Sequence, residues 1–413
     1  MRIDNTFFVN RRNELINRIP EGSAVFLFAG KGRAMSQDTD YRFLPDRNFY
    51  YMTGLSYEDG RLVLVKEKDG TSRTLLFALK RDELVERWHG SRMSFEQVSD
   101  ISGVAVEDIY DVVDFDERVY PYVTGYKVLT DGTSIMKASK VFEGSLEVCE
   151  DIGPTLTEMR MIKSQTEADA IHEAAVITEQ AIDEMKTLIR PGVTELELYT
   201  RLEYEMARRG SLIPAFETIV SIGRNSFYLH HSDPDDENGE VASEGDTVQI
   251  DVGARCCGYC ADISRVFFVG TSDDEAATDR RYKLLELIRE LRRSAFEFIK
   301  PGESFASLNQ EMRRITGERL LSWGLLNSGY TEDDVRGYYW HNTSHHLGLD
   351  VHDISNREEA FVPGNCLAVE PGVYIKEWGI GFRIEDDVIV TEDGCELLSS
   401  GEDSDESVFI NGL

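Results

Sequence analysis

Basic residues are scarce in this chain. It carries 44 Lys and Arg against 76 Asp and Glu, a formal net charge of −32. A surface this acidic repels phosphate backbones and anionic headgroups, which excludes nucleic acid and anionic membranes as main partners. The plain use of such a charge is to keep the protein dissolved. Long apolar runs are also missing. No stretch of 18 apolar residues occurs, so no transmembrane helix is expected. The opening residues, MRIDNTFFVNRRNEL, place charges where a secretory signal needs an apolar segment. Cysteines are few: Cys149, Cys256, Cys257, Cys260, Cys366 and Cys395. Their spacing gives no disulfide framework, and free thiols fit a reducing, cytoplasmic setting. The single C-x-x-C pair, Cys257 to Cys260, lacks the second pair of a structural zinc site. It reads as small residues on a buried hairpin. No serine lies in a G-x-S-x-G context, which removes that type of serine hydrolase.

What is present is ordinary globular material, 41% hydrophobic and 10% aromatic over 413 residues. This is enough for two or three domains. Residues 1–155 read as mixed α/β. Short apolar runs at Ala24–Phe28, Arg61–Val65 and Thr74–Ala78 predict buried strands. The turn Lys68-Asp69-Gly70 makes the last two a hairpin. Gly153-Pro154, within Glu147–Thr155, marks a junction, so a second domain is expected over 156–413.

Beyond the junction the pattern becomes helical and then repeats. The spacing predicts a helix over Glu167–Ile189, capped by Thr166 and stopped at Arg190-Pro191-Gly192. Thr194 caps a second helix, Glu195–Arg209, ending at Gly210. A second such unit follows: a helix over Leu284–Ile299, a stop at Lys300-Pro301-Gly302, and another helix capped by Ser304 or Ser307 that runs to about Gly324. Gly245, Asp251 and Gly253 match Gly364, Glu370 and Gly372, each 119 positions later. Two halves built alike predict pseudo-twofold symmetry, with Asp251 and Glu370 in equivalent places.

Five residues of metal-ligand type stand in sharply defined contexts: Asp251 in IDVGA, Asp262 in YCADISR, His345 in TSHHLGLDVHD, Glu370 in AVEPGVY and Glu385 in GIGFRIEDDV. Four carboxylates and an imidazole make an oxygen-rich, thiolate-free set that suits one or two divalent cations such as Mn, Co or Zn. Two like charges ~4 Å apart cost ~4 kcal/mol even at an effective dielectric of 20, so a gathered set requires a cation. Strands over Val248–Val252 and Ile263–Val269, turning near Gly258, would bring Asp251 and Asp262 side by side. A single strand over Ile380–Val390 would put Arg383 and Glu385 on one face. Arg383 then holds a substrate carboxylate, orients acids around the ligands, or pairs with Asp386 or Asp387. Six of the eight histidines fall at 230–231 and 341–352. Of His345 and His346, only one can face a shared site.

Taken together, SHHLGLDVHD, AVEPGVYI, GIGFRIEDDV and IDVGA with Asp262 resemble the pita-bread metallopeptidases, specifically the Xaa-Pro peptidases aminopeptidase P and prolidase. The resemblance spans about the whole chain. It implies an α+β architecture: an N-terminal α/β domain and a pseudosymmetric pita-bread catalytic domain. It implies two divalent metal ions, Mn first with Co or Zn as alternatives, on Asp251, Asp262, His345, Glu370 and Glu385. Asp262 and Glu385 would bridge. The seven-residue step to His352 selects His345 over His346. By the same resemblance His230, His341, His352 and Arg383 surround the substrate, with His231 as the alternative to His230. The implied reaction is hydrolysis between an N-terminal residue and a following proline by a hydroxide shared between the metals, with Glu370 shuttling the proton. Proline-containing peptides are the implied substrates, and a homodimer or homotetramer the implied assembly.

The segments Asp40–Gly54 and Glu86–Gly90 are similar to aminopeptidase P rather than prolidase, although Leu44-Pro45-Asp46 departs from the pattern. Trp88 would reach a neighbouring subunit's active site or pack in the core. A dipeptide-restricted prolidase is the nearest alternative. A metal-free creatinase-like hydrolase and a non-catalytic pita-bread protein both require lost ligands, and none of the five is lost here.

Overall fold

The computed structural model describes residues 1–132, 149–234, 239–270 and 274–399, and the backbone of 409–410. The start of the expected junction, 147–148, and part of the acidic stretch Ser232–Glu240 lie outside the described residues. The chain forms two compact units, Arg2–Met159 and Arg160–Leu413.

The first unit is a six-stranded mixed sheet covered by helices. Its centre is the hairpin Arg61–Lys66 and Ser72–Ala78 beside Ser23–Phe28. These are the three apolar runs expected as strands. Lys127–Thr130 and Cys149–Asp151 extend the sheet in parallel on one side, and Ile109–Asp111 on the other. Phe26, Phe28 and Phe77 meet Phe115 edge to face, Phe77 at 4.8 Å. Each such pair contributes about 1 kcal/mol beyond simple burial. Trp88 lies on the short helix Glu83–His89, which buries nothing, and is 86% exposed. It has no part in the core.

The second unit contains two similar halves. Each joins a pair of packed helices to a four-stranded sheet. The first half pairs helices Gln165–Lys186 and Glu195–Arg208 with a sheet of Ile219–Ile222, Thr247–Val252, Ile263–Val269 and Phe409–Ile410. The second pairs helices Glu275–Phe298 and Phe305–Ser322 with Ser344–His346, Cys366–Val369, Asp386–Val390 and Cys395–Leu397.

The helix ends correct the sequence expectations in two places and decide an open alternative in a third. Ser164, not Thr166, caps the first helix, because Glu167 returns to its backbone N–H in a capping box. Ser304, not Ser307, caps the fourth, for the same reciprocal reason. The third helix begins at Glu275, nine residues before the expected start. Its first turns are mostly charged and exposed, so apolar periodicity is silent there. The expected strand Ile380–Val390 is two strands, Ile380–Arg383 and Asp386–Val390, which pair in different sheets.

Candidate active site

The site is built on the inner strands of both halves. Thr247–Val252 runs antiparallel to Ile263–Val269, with Asp251 opposite Ser264. Asp262 sits one residue before that pairing begins, so the two aspartates are staggered rather than directly opposed. A small hairpin lies between them, turning at Cys257 and Gly258, both with positive φ. Such a two-residue turn requires this conformation. The cysteines around it form no disulfide, and no metal-type cluster among the described residues includes one.

Asp262, His345 and Glu385 place one ligand atom each within 4.8 Å of one another. The His345 Nε2 lies 3.3 Å from Asp262 Oδ2 and 3.9 Å from both Glu370 Oε1 and Glu385 Oε1. Its Nδ1 lies 3.1 Å from the His346 carbonyl oxygen, the place for an N–H. That bond leaves the Nε2 lone pair facing the carboxylates, as a metal ligand needs.

Asp251 is held from one side by Arg383, whose Nη2 donates to Oδ2 at 2.5 Å. Its other oxygen, Oδ1, is buried without a hydrogen-bond partner. Ser264 donates to Glu385 Oε2 at 2.9 Å and accepts from Arg383 Nε at 3.1 Å. Arg383 also donates to the Leu229 carbonyl. Its guanidinium is therefore committed to orienting ligand carboxylates.

The electrostatics are those of buried, mutually repelling carboxylates. Burial, then the neighbouring Asp251 and Glu370 charges, pushes the Asp262 carboxyl far above its usual range. Burial, then Asp262, Asp251 and Glu370, does the same to Glu385. Burial raises Glu370 as well, against the pull of His345 and Arg383. A buried carboxylate group of this kind stays ionised only with a cation among it. The orphaned Asp251 oxygen, the free imidazole lone pair and the all-oxygen surroundings fit a hard or borderline divalent ion.

All nine residues singled out from the sequence line one cavity of about 690 Å³: Asp251, Asp262, His345, Glu370, Glu385, His230, His341, His352 and Arg383. His341 Nε2 meets the Tyr374 hydroxyl at 3.1 Å, and its Nδ1 lies 3.4 Å from Glu370 Oε2. His352 stacks edge-on against His345 at 4.2 Å. Burial, with Arg383 next, lowers His341 to about 4. Burial, with His345 next, lowers His352 to about 4. Both rings are neutral at physiological pH.

The two histidine ambiguities resolve by packing. His346 points away, against the edge of Phe305. His231 also points away and bonds Glu195 at 2.8 Å, leaving His230 on the cavity wall. Glu195 is completely buried at the start of its helix and gathers the loop that carries His230. It accepts from Ile222 N, Asn225 Nδ2 and Glu240 N as well as from His231. A second buried device holds the other rim. Asp353, next to His352, takes Arg160 at 2.5 Å and Lys163 at 3.1 Å.

Several contributors were not legible in sequence. Phe216, Ile219, Leu229 and Val351 give the cavity its apolar wall, and Arg357 adds a cation. Nothing local distinguishes them. The repeated glycines do have a visible reason. A Cβ at Gly372 would lie 2.6 Å from His341 Nε2, and one at Gly253 would overlap the Ala261 carbonyl oxygen.

Comparison with known proteins agrees with this architecture. Residues 169–392 match the model of metallopeptidase family M24, and residues 8–129 match that of the aminopeptidase P N-terminal domain. The chain is 30% identical to Xaa-Pro aminopeptidase of Escherichia coli over 95% of its own length and 94% of the relative's. It is 27% identical to human Xaa-Pro aminopeptidase 3, over 89% and 76%. Among solved structures, a substrate complex of an Escherichia coli aminopeptidase P variant superposes with a TM-score of 0.88 at 29% identity, covering 97% of this chain and 96% of the other. Proline aminopeptidase P II of Yersinia pestis gives 0.89 at 28%, covering 98% of each. The chain belongs to metallopeptidase family M24 and carries, ahead of its catalytic unit, an amino-terminal domain of the aminopeptidase P type.

Proposed function

We propose that this protein is a metal-dependent aminopeptidase that removes an N-terminal residue preceding proline. The observation that carries the reading is the convergence of five ligand-type and four further polar residues on one cavity wall. In this reading Asp251, Asp262, His345, Glu370 and Glu385 hold two divalent ions, with Mn proposed first and Co or Zn as alternatives. Asp262 and Glu385 would be the ligands common to both ions. When bound, the ions polarise the scissile carbonyl and lower the pKa of a water toward neutrality.

The chain's own groups do the rest. Glu370 accepts the proton of the attacking water and returns it to the leaving amine. His352, as a neutral imidazole, donates a hydrogen bond to the developing oxyanion or the peptide backbone, while His341, whose Nδ1–H donates to the Asn342 carbonyl at 2.9 Å, presents Nε2 as an acceptor to the Tyr374 hydroxyl. His230 borders the same space from the loop fixed by Glu195. Arg383 keeps Asp251 and Ser264 in place. The apolar wall of Phe216, Ile219, Leu229 and Val351 suits a proline ring.

We place the domain junction near residue 155 and the protein in the cytoplasm, on the strength of thiols that form no disulfide. No helix among the described residues is long and apolar enough to cross a membrane. A homodimer or homotetramer is proposed; the exposed Trp88 is the kind of side chain an interface covers. The testing experiment is release of the first residue from Xaa-Pro dipeptides and longer Xaa-Pro-Xaa peptides, with metal-loaded and metal-stripped protein. Metal-dependent cleavage of the longer peptides sustains the reading. Cleavage of dipeptides alone moves it to a prolidase.

A further inference from the structure

We propose that a second groove, outside the catalytic cavity, binds the carboxyl-terminal part of short peptide substrates and recognises their free carboxylate. This rests on the aminopeptidase reading above and specifies its substrate class. The groove encloses about 610 Å³ and is lined by Arg224, Phe227, Tyr228, Trp340 and Lys376.

Its floor is rigid and aromatic. Trp340 stacks on Tyr374 at 4.5 Å, nearly parallel, and its indole N–H is fixed by the Gly337 carbonyl. Phe227 leans on both rings, at 5.8 and 6.5 Å. Its rim is cationic, in a chain of net charge −32. The Lys376 ammonium stands 5.5 Å from the Trp340 ring centre, and among the described residues no carboxylate pairs with it. Arg224 is exposed and meets only the half-exposed Glu240, at 2.6 Å.

The groove and the catalytic cavity are lined by neighbouring residues of the chain. Trp340 immediately precedes His341, and Phe227-Tyr228 immediately precede Leu229-His230. Leu229, His230 and His341 all line the cavity. The floor residue Tyr374 also bonds His341. Successive Cα atoms lie about 3.8 Å apart, so the groove's lining begins within one or two residues of the cavity's along both segments.

Direction follows from the chemistry. An aminopeptidase substrate has a single residue on the amino side of the broken bond. A groove leading away from the cavity can therefore hold only residues on the carboxyl side. Aromatic faces take their side chains, and the two cations take the terminal carboxylate.

The test is steady-state kinetics of the full-length, Mn-loaded protein on Xaa-Pro-Xaa tripeptides and tetrapeptides, each as free acid and as C-terminal amide. The Lys376→Gln/Arg224→Gln variant changes only exposed charges and should fold normally. It should lose about five-fold in kcat/KM on the free acids, through KM, with no loss on the amides. Trp340→Ala should raise KM for acids and amides alike. Equal loss on acid and amide in the charge variant, or no loss in either variant, overturns the proposal. If the wild type cleaves no Xaa-Pro peptide at all, the aminopeptidase reading itself falls, and the proposal with it.

Discussion

Glu195 makes a demanding test of how the His230 loop is held. Its carboxylate is fully buried and accepts from Ile222 N at 2.6 Å, His231 Nε2 at 2.8 Å, Asn225 Nδ2 at 3.0 Å and Glu240 N at 3.2 Å. Glu195→Gln preserves shape but turns one acceptor into an NH₂ group. If the remaining oxygen stays on Ile222 N, the Glu240 N–H faces a donor and is stranded. A stranded buried donor costs about 1–3 kcal/mol, and weakening charged bonds to neutral ones costs about 1 kcal/mol more. That total of roughly 2–4 kcal/mol falls on one loop, so the loop loosens while the helices and sheets keep their packing. A displacement of about 1 Å at a reacting group can cost ~100-fold, so kcat/KM should fall by about 10- to 100-fold. The decisive assay is a double-mutant cycle with His230→Ala. If Glu195 acts through His230, Glu195→Gln adds little to the loss already caused by His230→Ala. Fully additive losses, or an unaltered Glu195→Gln enzyme, would refute the reasoning.

Three other outcomes are expected. Saturating the stripped protein with Mn, Co or Zn at about 100 times its Kd should stabilise it by about 2.7 kcal/mol, and Asp262→Asn should abolish both the shift in Tm and the bound metal by elemental analysis; a shift of equal size in the variant rejects the ligand set. Asp353→Asn removes the charge that pairs with buried Lys163 and Arg160, while Arg160 keeps its contact with Asp350 at 3.5 Å, so urea unfolding should show a loss of about 3 kcal/mol, and a loss below about 1 kcal/mol would contradict the clamp. Burial pushes the Glu205 carboxyl up, but hydrogen bonds from Arg208 and Arg209 and the charges of Arg208 and Arg201 outweigh it and hold it at about 2. A depressed carboxyl stabilises the fold above its unfolded value near 4.3 and loses that contribution as pH falls toward 2. Glu205→Gln should therefore flatten the fall of the urea midpoint over this window, whereas an unchanged slope counts against the ion cluster.

Much of the chemistry was legible because it is local. The ligand residues sit in short contexts whose alternation and glycines mark strands and tight turns. The Pro-Gly stops and the Thr194 cap mark helix ends within a few residues. Where the reading slipped, the signal was weak or shared between neighbours. Leu284 looked like a helix start because the preceding turns are exposed and charged. Ile380–Val390 looked like one strand because both pieces are apolar. Only their pairing, Ile380–Arg383 with Gly372–Ile375 and Asp386–Val390 with Cys366–Val369, separates them.

The sequence by itself determined the two-part α+β plan, the duplicated half and the donor set that calls for divalent cations. Periodicity, caps and residue chemistry act over a few positions, so one chain suffices to read them. The tertiary structure alone decided that His230 rather than His231 faces the cavity, that Arg383 serves Asp251 and Ser264, and that apolar residues near 216, 229 and 351 form one wall. Those facts depend on strand register and on buried partners such as Glu195 and Asp353. The segments they join are far apart in sequence and meet only when the core packs.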